Sequence, residues 1–203
     1  MQASEIGLTM RKKTKLLISA LLAAVLAVGG YGAYRLARRQ HRLSIEARID
    51  RYQHLIHRHA RANALPAELV RAVIRAESAG RPRAVSAKNA KGLMQITPIA
   101  QREVQRRLHL PAGDLFDPDY NILVGTSYLR LLANRFGGDA YLTVAAYHMG
   151  PTRLQKIRAA HPQATGRELI ETHAAPATAR YCRAVLGRRT PNLGVVPQRR
   201  AGR

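Results

Sequence analysis

The chain has 203 residues, a formal net charge of +22 and a single cysteine, Cys182. That length holds one ordinary domain with appendages, and the lone cysteine excludes an internal disulfide. The charge draws the chain to polyanions, whether nucleic acid, anionic lipid or an acid-bearing bacterial wall, and does not by itself choose among them.

In chain order, a stub at 1–15 carries Arg11, Lys12, Lys13 and Lys15, and an uncharged apolar run from Leu16 to Tyr34 follows. These 19 residues are enough to cross a bilayer as a helix. The rival reading is a cleaved signal peptide with its core from Leu16 to Val28 and small residues at Ala27-Val28-Gly29. The run is longer than an ordinary signal core, which favours an uncleaved anchor. Arg35, Arg38, Arg39 and Arg42 follow it, so positive charge is similar on both sides and does not orient the segment.

Residues 35–62 read as a basic linker and a leading helix from Leu43 to Ala62, with Ile45, Ile49, Tyr52, Leu55 and Ile56 on one face. His54, His57 and His59 lie in it, but no cysteine or carboxylate completes a metal set, and a solvated basic face is expected. The segment Leu65–Gly80 reads as an amphipathic helix, with Pro66 in its first turn and Gly80 and Pro82 to stop it. Its apolar stripe is Leu69, Val70, Val73 and Ile74, and the next position on that stripe is Glu77. Desolvation and the negative end of the helix dipole both raise the pKa of a carboxylate placed there. Such a group holds its proton near neutral pH and acts as a general acid. The plainer alternative is a rim glutamate paired with one of the many arginines.

A loop rich in small and basic residues spans 79–92. Thr97 and Pro98 open a helix to about Leu108. Asp117 and Pro118 open another that runs to Phe136 and stops at Gly137-Gly138. A short apolar helix covers Ala140 to Met149, ended by Gly150-Pro151, and Arg153–Ala159, Arg167–His173 and Ala177–Leu186 complete the set. No alternating β-branched run is present, so the predicted class is all-α. The tail at 189–203 lacks apolar periodicity and is expected to be disordered.

The run from Glu77-Ser78 through Pro82-Arg83-Ala84-Val85-Ser86 to Gly92-Leu93-Met94-Gln95 and Pro98 resembles the signature of the soluble-lytic-transglycosylase-like domain. Three further stretches follow in that family's order. They are Asp117-Pro118…Asn121-Ile122 with Gly125 and Tyr128-Leu129; Ala145-Ala146-Tyr147-His148-Met149-Gly150-Pro151; and Thr178 with Tyr181. The resemblance covers roughly residues 46–188 and places a transglycosylase-like catalytic domain at 63–188. It implies a lysozyme-like helical fold and a peptidoglycan lytic transglycosylase needing no cofactor or metal. Such an enzyme cleaves between N-acetylmuramic acid and N-acetylglucosamine and leaves a 1,6-anhydro product, with one glutamate, here Glu77, as acid and then base. It also implies a bacterial inner-membrane protein with its domain in the periplasm, whose short anchored relatives accompany secretion or conjugation machines.

Carried onto this chain, the pattern implies that Ser86 and Gln95 hydrogen-bond saccharide, that Met94 walls the cleft, and that Tyr147 and Tyr181 set hydroxyls around Glu77. Ser78, Gly92 and Asn121 complete the implied substrate-binding set. Each also has a structural alternative: Ser78 capping a turn, Gly92 permitting a positive φ, Met94 filling core, Asn121 holding a helix start. Among the remaining carboxylates none has a strong claim to face Glu77, which fits a one-acid mechanism rather than the usual pair. The chain departs from the pattern twice, with His148 in place of an asparagine and Ala177 in place of a glutamate. Two other classes stay open: a hydrolytic muramidase of goose-lysozyme type, and a non-catalytic wall-binding or scaffold protein. Aromatic-basic interleaving that would indicate specific nucleic-acid binding is missing.

Overall fold

The computed structural model describes residues 2–187 and 191–196, with side chains from residue 26 onward. Every named element among the described residues is a helix, as the apolar periodicity requires. The chain divides after Ser44 into two compact units. The first is most of helix α1 (Gln2–Asp50). Near the end of its apolar run Arg35 donates to the Tyr31 hydroxyl at 3.1 Å and Arg38 to that of Tyr34 at 3.3 Å. Among the described residues no helix is long and apolar enough to cross a membrane. The expected stub and the first ten residues of the Leu16–Tyr34 run have side chains outside the described residues.

The second unit, from Ile45 onward, holds α2 (Gln53–Ala62), α3 (Ala67–Ser78), α4 (Pro98–Leu108), α5 (Pro118–Arg135), α6 (Ala140–Met149), α7 (Pro151–Ala160), α8 (Gly166–His173) and α9 (Pro176–Leu186). The expected single helix from Leu43 to Ala62 is broken by a turn at Arg51-Tyr52. The turn lets both pieces use their apolar side: Ile49 from the first, Leu55 and Ile56 from the second, are buried. The histidines of α2 do not form one solvated face. His54 and His57 are exposed, but His59 is buried and its Nε2 lies 2.5 Å from Asp119 Oδ1 at the start of α5.

Helix α6 is the hub. Ala140 through Ala146 are all buried, and the helix packs against α5, α7, α8 and α9. An apolar surface on every side requires that central place. Its start is fixed by Asp139, whose carboxylate accepts from Leu142 N at 2.9 Å. Thr97, Asp117 and Thr165 cap α4, α5 and α8 in the same way, each side chain supplying an acceptor to an otherwise unpaired N–H.

The segment 191–196, expected to lie in a disordered tail, is pinned to the fold. Leu193 is buried, its N–H donates to Gly138 O at 2.9 Å, and Asn134 exchanges two hydrogen bonds with Val196. Buried Arg130 holds it from beneath, donating to Leu193 O and Gly194 O, and to Asn63 O and Ala64 O across the α2–α3 turn. Hydrogen bonds to the segment's backbone, most of them from the Arg130 and Asn134 side chains, do this and leave no apolar period in the sequence. The rest of the expected tail, 189–190 and 197–203, lies outside the described residues.

Candidate active site

Helix α3 buries Leu69, Val70, Val73 and Ile74, and the same face carries Glu77 in its last turn. The helix stops at Ala79, which takes a left-handed φ of 52°. Arg48 Nε donates to the Ala79 carbonyl at 2.9 Å, satisfying one of the acceptors that a helix end leaves open. Gly80 follows with φ +75°, and the last turn of α1 passes so close that a Cβ there would meet Arg48 and Ile49.

The partner of Glu77 is a tyrosine, not an arginine: the Tyr181 hydroxyl donates to Oε1 at 2.6 Å. Burial pushes the Glu77 carboxyl above its ordinary value, and the Tyr181 hydroxyl pulls it back part of the way. Among the described residues no other carboxylate contributes to that shift. Tyr181 comes from α9, which packs directly on α3. Burial and the Glu77 charge hold its own hydroxyl well above the usual range, so it stays a donor.

The ring of Tyr181 stacks on that of His148, with centroids 4.5 Å apart and planes inclined by 27°. His148 Nδ1 lies 3.2 Å from the hydroxyl of Thr178, one turn earlier on α9. Partial burial and nearby Lys88 lower the His148 pKa, which keeps the ring neutral at neutral pH.

Four of the expected substrate-binding positions are instead framework. Ser78 is 1% exposed, and its hydroxyl donates to Ile74 O and accepts from Gly80 N, closing the helix end. Met94 is 0% exposed, and its thioether fills the space over Gly125 on α5. Gly92 has φ +78°, and its Cβ position is taken by the Asn121 amide and the Leu115 carbonyl. Asn121 itself is 0% exposed and fully engaged. Its Oδ1 accepts from Met94 N at 2.8 Å, and its Nδ2 donates to Lys91 O at 2.9 Å and Leu115 O at 2.8 Å. These residues shape the loop from within, so none of the four presents a side chain to a ligand.

That loop delivers Gln95. Its φ is +49°, uncommon for a residue with a side chain, and its Nε2 donates to Ala84 O at 3.1 Å and Gly92 O at 3.0 Å. The Tyr147 hydroxyl, expected around Glu77, is held above its ordinary pKa by burial and by the Glu77 charge, and it donates to Met94 O at 2.7 Å. Its ring lies in the same cluster, tilted against Tyr128 at 5.7 Å. Tyr147 therefore ties the end of α6 to the peptide that carries Gln95. Ser86 is exposed at the head of the loop, where its hydroxyl accepts from Ala90 N at 3.1 Å.

Beside these residues runs a groove of about 610 Å³, lined among others by Gln95, Tyr128, Tyr147, His148, Lys88 and Arg153. Glu77 is not among its lining residues; it is part-buried and connects to the groove through Tyr181, whose ring stacks on the groove residue His148. Sequence reasoning missed the groove's other walls, such as Ile99 and Lys156, which no motif marks. His148 was signalled only by its departure from the family pattern.

The sequence matches the Transglycosylase SLT domain family over residues 54–170. It is 35% identical over 108 residues to the soluble lytic murein transglycosylase of Escherichia coli K12, covering 51% of this chain and 17% of that protein. It is 41% identical over 101 residues to the membrane-bound lytic murein transglycosylase E of Buchnera aphidicola (subsp. Baizongia pistaciae), covering 44% of this chain and 48% of that one. This chain thus spans about a sixth of the first relative and about half of the second. The solved lytic transglycosylase Slt of Pseudomonas aeruginosa, an inactive glutamate-to-glutamine mutant, superposes with a TM-score of 0.62 at 30% identity, over 66% of this chain and 22% of that one. Together with the all-helical lysozyme-like arrangement, these matches show that the chain belongs to the Transglycosylase SLT domain family.

Proposed function

We propose that the chain is a peptidoglycan lytic transglycosylase in which Glu77 serves first as acid and then as base. The observation that carries this reading is the lone Glu77 carboxyl, desolvated at the end of α3 and held by the Tyr181 hydroxyl at 2.6 Å. A raised pKa keeps it protonated for the first step and leaves it basic enough for the second.

Protonated Glu77 gives its proton to the oxygen between N-acetylmuramic acid and N-acetylglucosamine as the C1–O bond breaks. The substrate's own N-acetyl oxygen shields the positive charge that develops at C1. Glu77, now ionised and steadied by Tyr181, takes the proton of the muramoyl C6 hydroxyl, and O6 bonds to C1. The proton count closes on Glu77, no water is consumed, and no second carboxylate is needed. To Gln95, which lines the groove, and Ser86, which is exposed, the proposal assigns contact with saccharide.

The anchor belongs to the same proposal. The uncharged Leu16–Tyr34 run and the arginines after it would hold the protein in the inner membrane with the domain in the periplasm. Relatives named as membrane-bound lytic murein transglycosylases support that placement. The test is digestion of purified sacculi by the wild type and by Glu77→Gln, which cannot donate the proton. The proposal requires wild-type cleavage and loss of at least about a hundredfold in the variant; comparable rates would remove Glu77 from the chemistry.

A further inference from the structure

We infer that His148 is a positioning residue, which grips α9 at two points one turn apart and thereby fixes the hydroxyl that holds Glu77. The inference rests on the proposed role of Glu77. Its grounds are geometric: the His148 ring lies against the Tyr181 ring at 4.5 Å, and His148 Nδ1 meets Thr178 Oγ1 at 3.2 Å. Thr178 is buried and cannot shift to follow a displaced ring. Tyr181 has one freedom that matters to Glu77, the swing of its ring, and the stack removes it. An asparagine, which the family pattern carries at this place, has no ring to do so. This chain meets that need with an imidazole.

An imidazole also titrates, which an asparagine does not. Lys88 is the cation whose field reaches it; Arg153 and Lys156 of α7, Glu103 of α4 and Arg135 of α5 line the same groove, and Tyr147 precedes it on α6. The neutral ring is the working form. As pH falls, protonation puts a second positive charge beside Lys88. Repulsion between the two cations then loosens the ring from its place against Tyr181. The brace thus sets an acid limit on turnover.

The experiment follows the Glu77 carboxyl by ¹³C NMR titration in the full-length chain, alongside sacculus digestion as a function of pH. The proteins compared are wild type, His148→Leu, which keeps the bulk without the stack, and His148→Phe, which keeps the stack without Nδ1 or the charge. In His148→Leu the Glu77 midpoint should rise, because the Tyr181 hydrogen bond that lowers it is loosened. Its kcat should fall roughly tenfold with KM within about twofold, less than loss of an acid–base group would cost. His148→Phe should restore most of the midpoint and of kcat, and both variants should lose the acid-side inflection. An unmoved Glu77 midpoint in His148→Leu overturns the inference, whatever happens to activity. If the midpoint moves as stated but the wild type leaves sacculi intact, the positioning role stands and the proposed activity falls.

Discussion

The Tyr181 hydroxyl donates to Glu77 Oε1 at 2.6 Å, across a sequence separation of 104 residues. This bond stabilises the ionised carboxylate, while burial stabilises the protonated acid. A residue that must be acid and base in turn needs both influences, and the two come from separate helices, α3 and α9.

Tyr181→Phe removes one of the two and leaves the ring against His148. Hydrogen bonds to charged groups contribute about 1.5–3 kcal/mol, so kcat should fall about 10- to 100-fold. The bond lowers the Glu77 pKa, so its loss raises that pKa further, and the alkaline limb of the pH–rate profile should move to higher pH. A profile superimposable on that of the wild type would deny the bond any part in catalysis.

Tyr147 acts at one remove. Tyr147→Phe deletes the donor to Met94 O, and chemical denaturation should register a loss of about 1 kcal/mol. Gln95 follows Met94 directly, so turnover should slow as well, with the Glu77 titration unchanged. Tyr147→Ala also removes a ring packed against Tyr128, and should cost about 3–5 kcal/mol. A shifted Glu77 titration in Tyr147→Phe would show that this hydroxyl reaches the carboxylate itself.

What could be read from the sequence was whatever obeys a local period or a local cap. The face of α3 follows the helical repeat, so Glu77 was visible as the wrong residue on an apolar stripe. Thr97 and Asp117 announce their helices because a capping side chain sits two or three residues from the N–H it serves. The direction of a loop side chain obeys no such rule. Ser78, Gly92, Met94 and Asn121 recur in the family pattern, yet the pattern does not say whether a position touches sugar or holds the loop that does. That depends on the left-handed turn at Gln95 and on α5 lying beneath it. The His148–Tyr181 stack joins residues from two helices and leaves no trace in either segment.

Gly92→Ala tests the framework reading directly. The position has φ +78°, and a Cβ would strike the Asn121 amide and the Leu115 carbonyl. Backbone strain and overpacking together should destabilise the fold by about 2–5 kcal/mol, measured by thermal or chemical unfolding. A stable Gly92→Ala that loses only sugar binding would return Gly92 to the ligand side of the loop.

The raised Glu77 pKa also carries a stability signature. Below about pH 4 the carboxyl is protonated in both folded and unfolded chains, and it costs nothing. As pH rises past the ordinary value of 4.5, the unfolded chain ionises first, and stability falls until the folded pKa is passed. Glu77→Gln removes this penalty. Its stability relative to wild type should therefore grow from pH 4 towards pH 8, as seen in urea midpoints at the two pH values. A difference that shrinks over that interval would mean that the folded state favours the ionised form.

The central claim is that one glutamate does both proton transfers with no water taken up, and the end group of the released sugar reports on it most directly. Mass spectrometry of fragments from sacculi digested by the full-length chain should find 1,6-anhydromuramoyl ends, and none should form with Glu77→Gln. Reducing ends in place of anhydro ends would show that water attacks C1, making the protein a hydrolytic muramidase and contradicting the account.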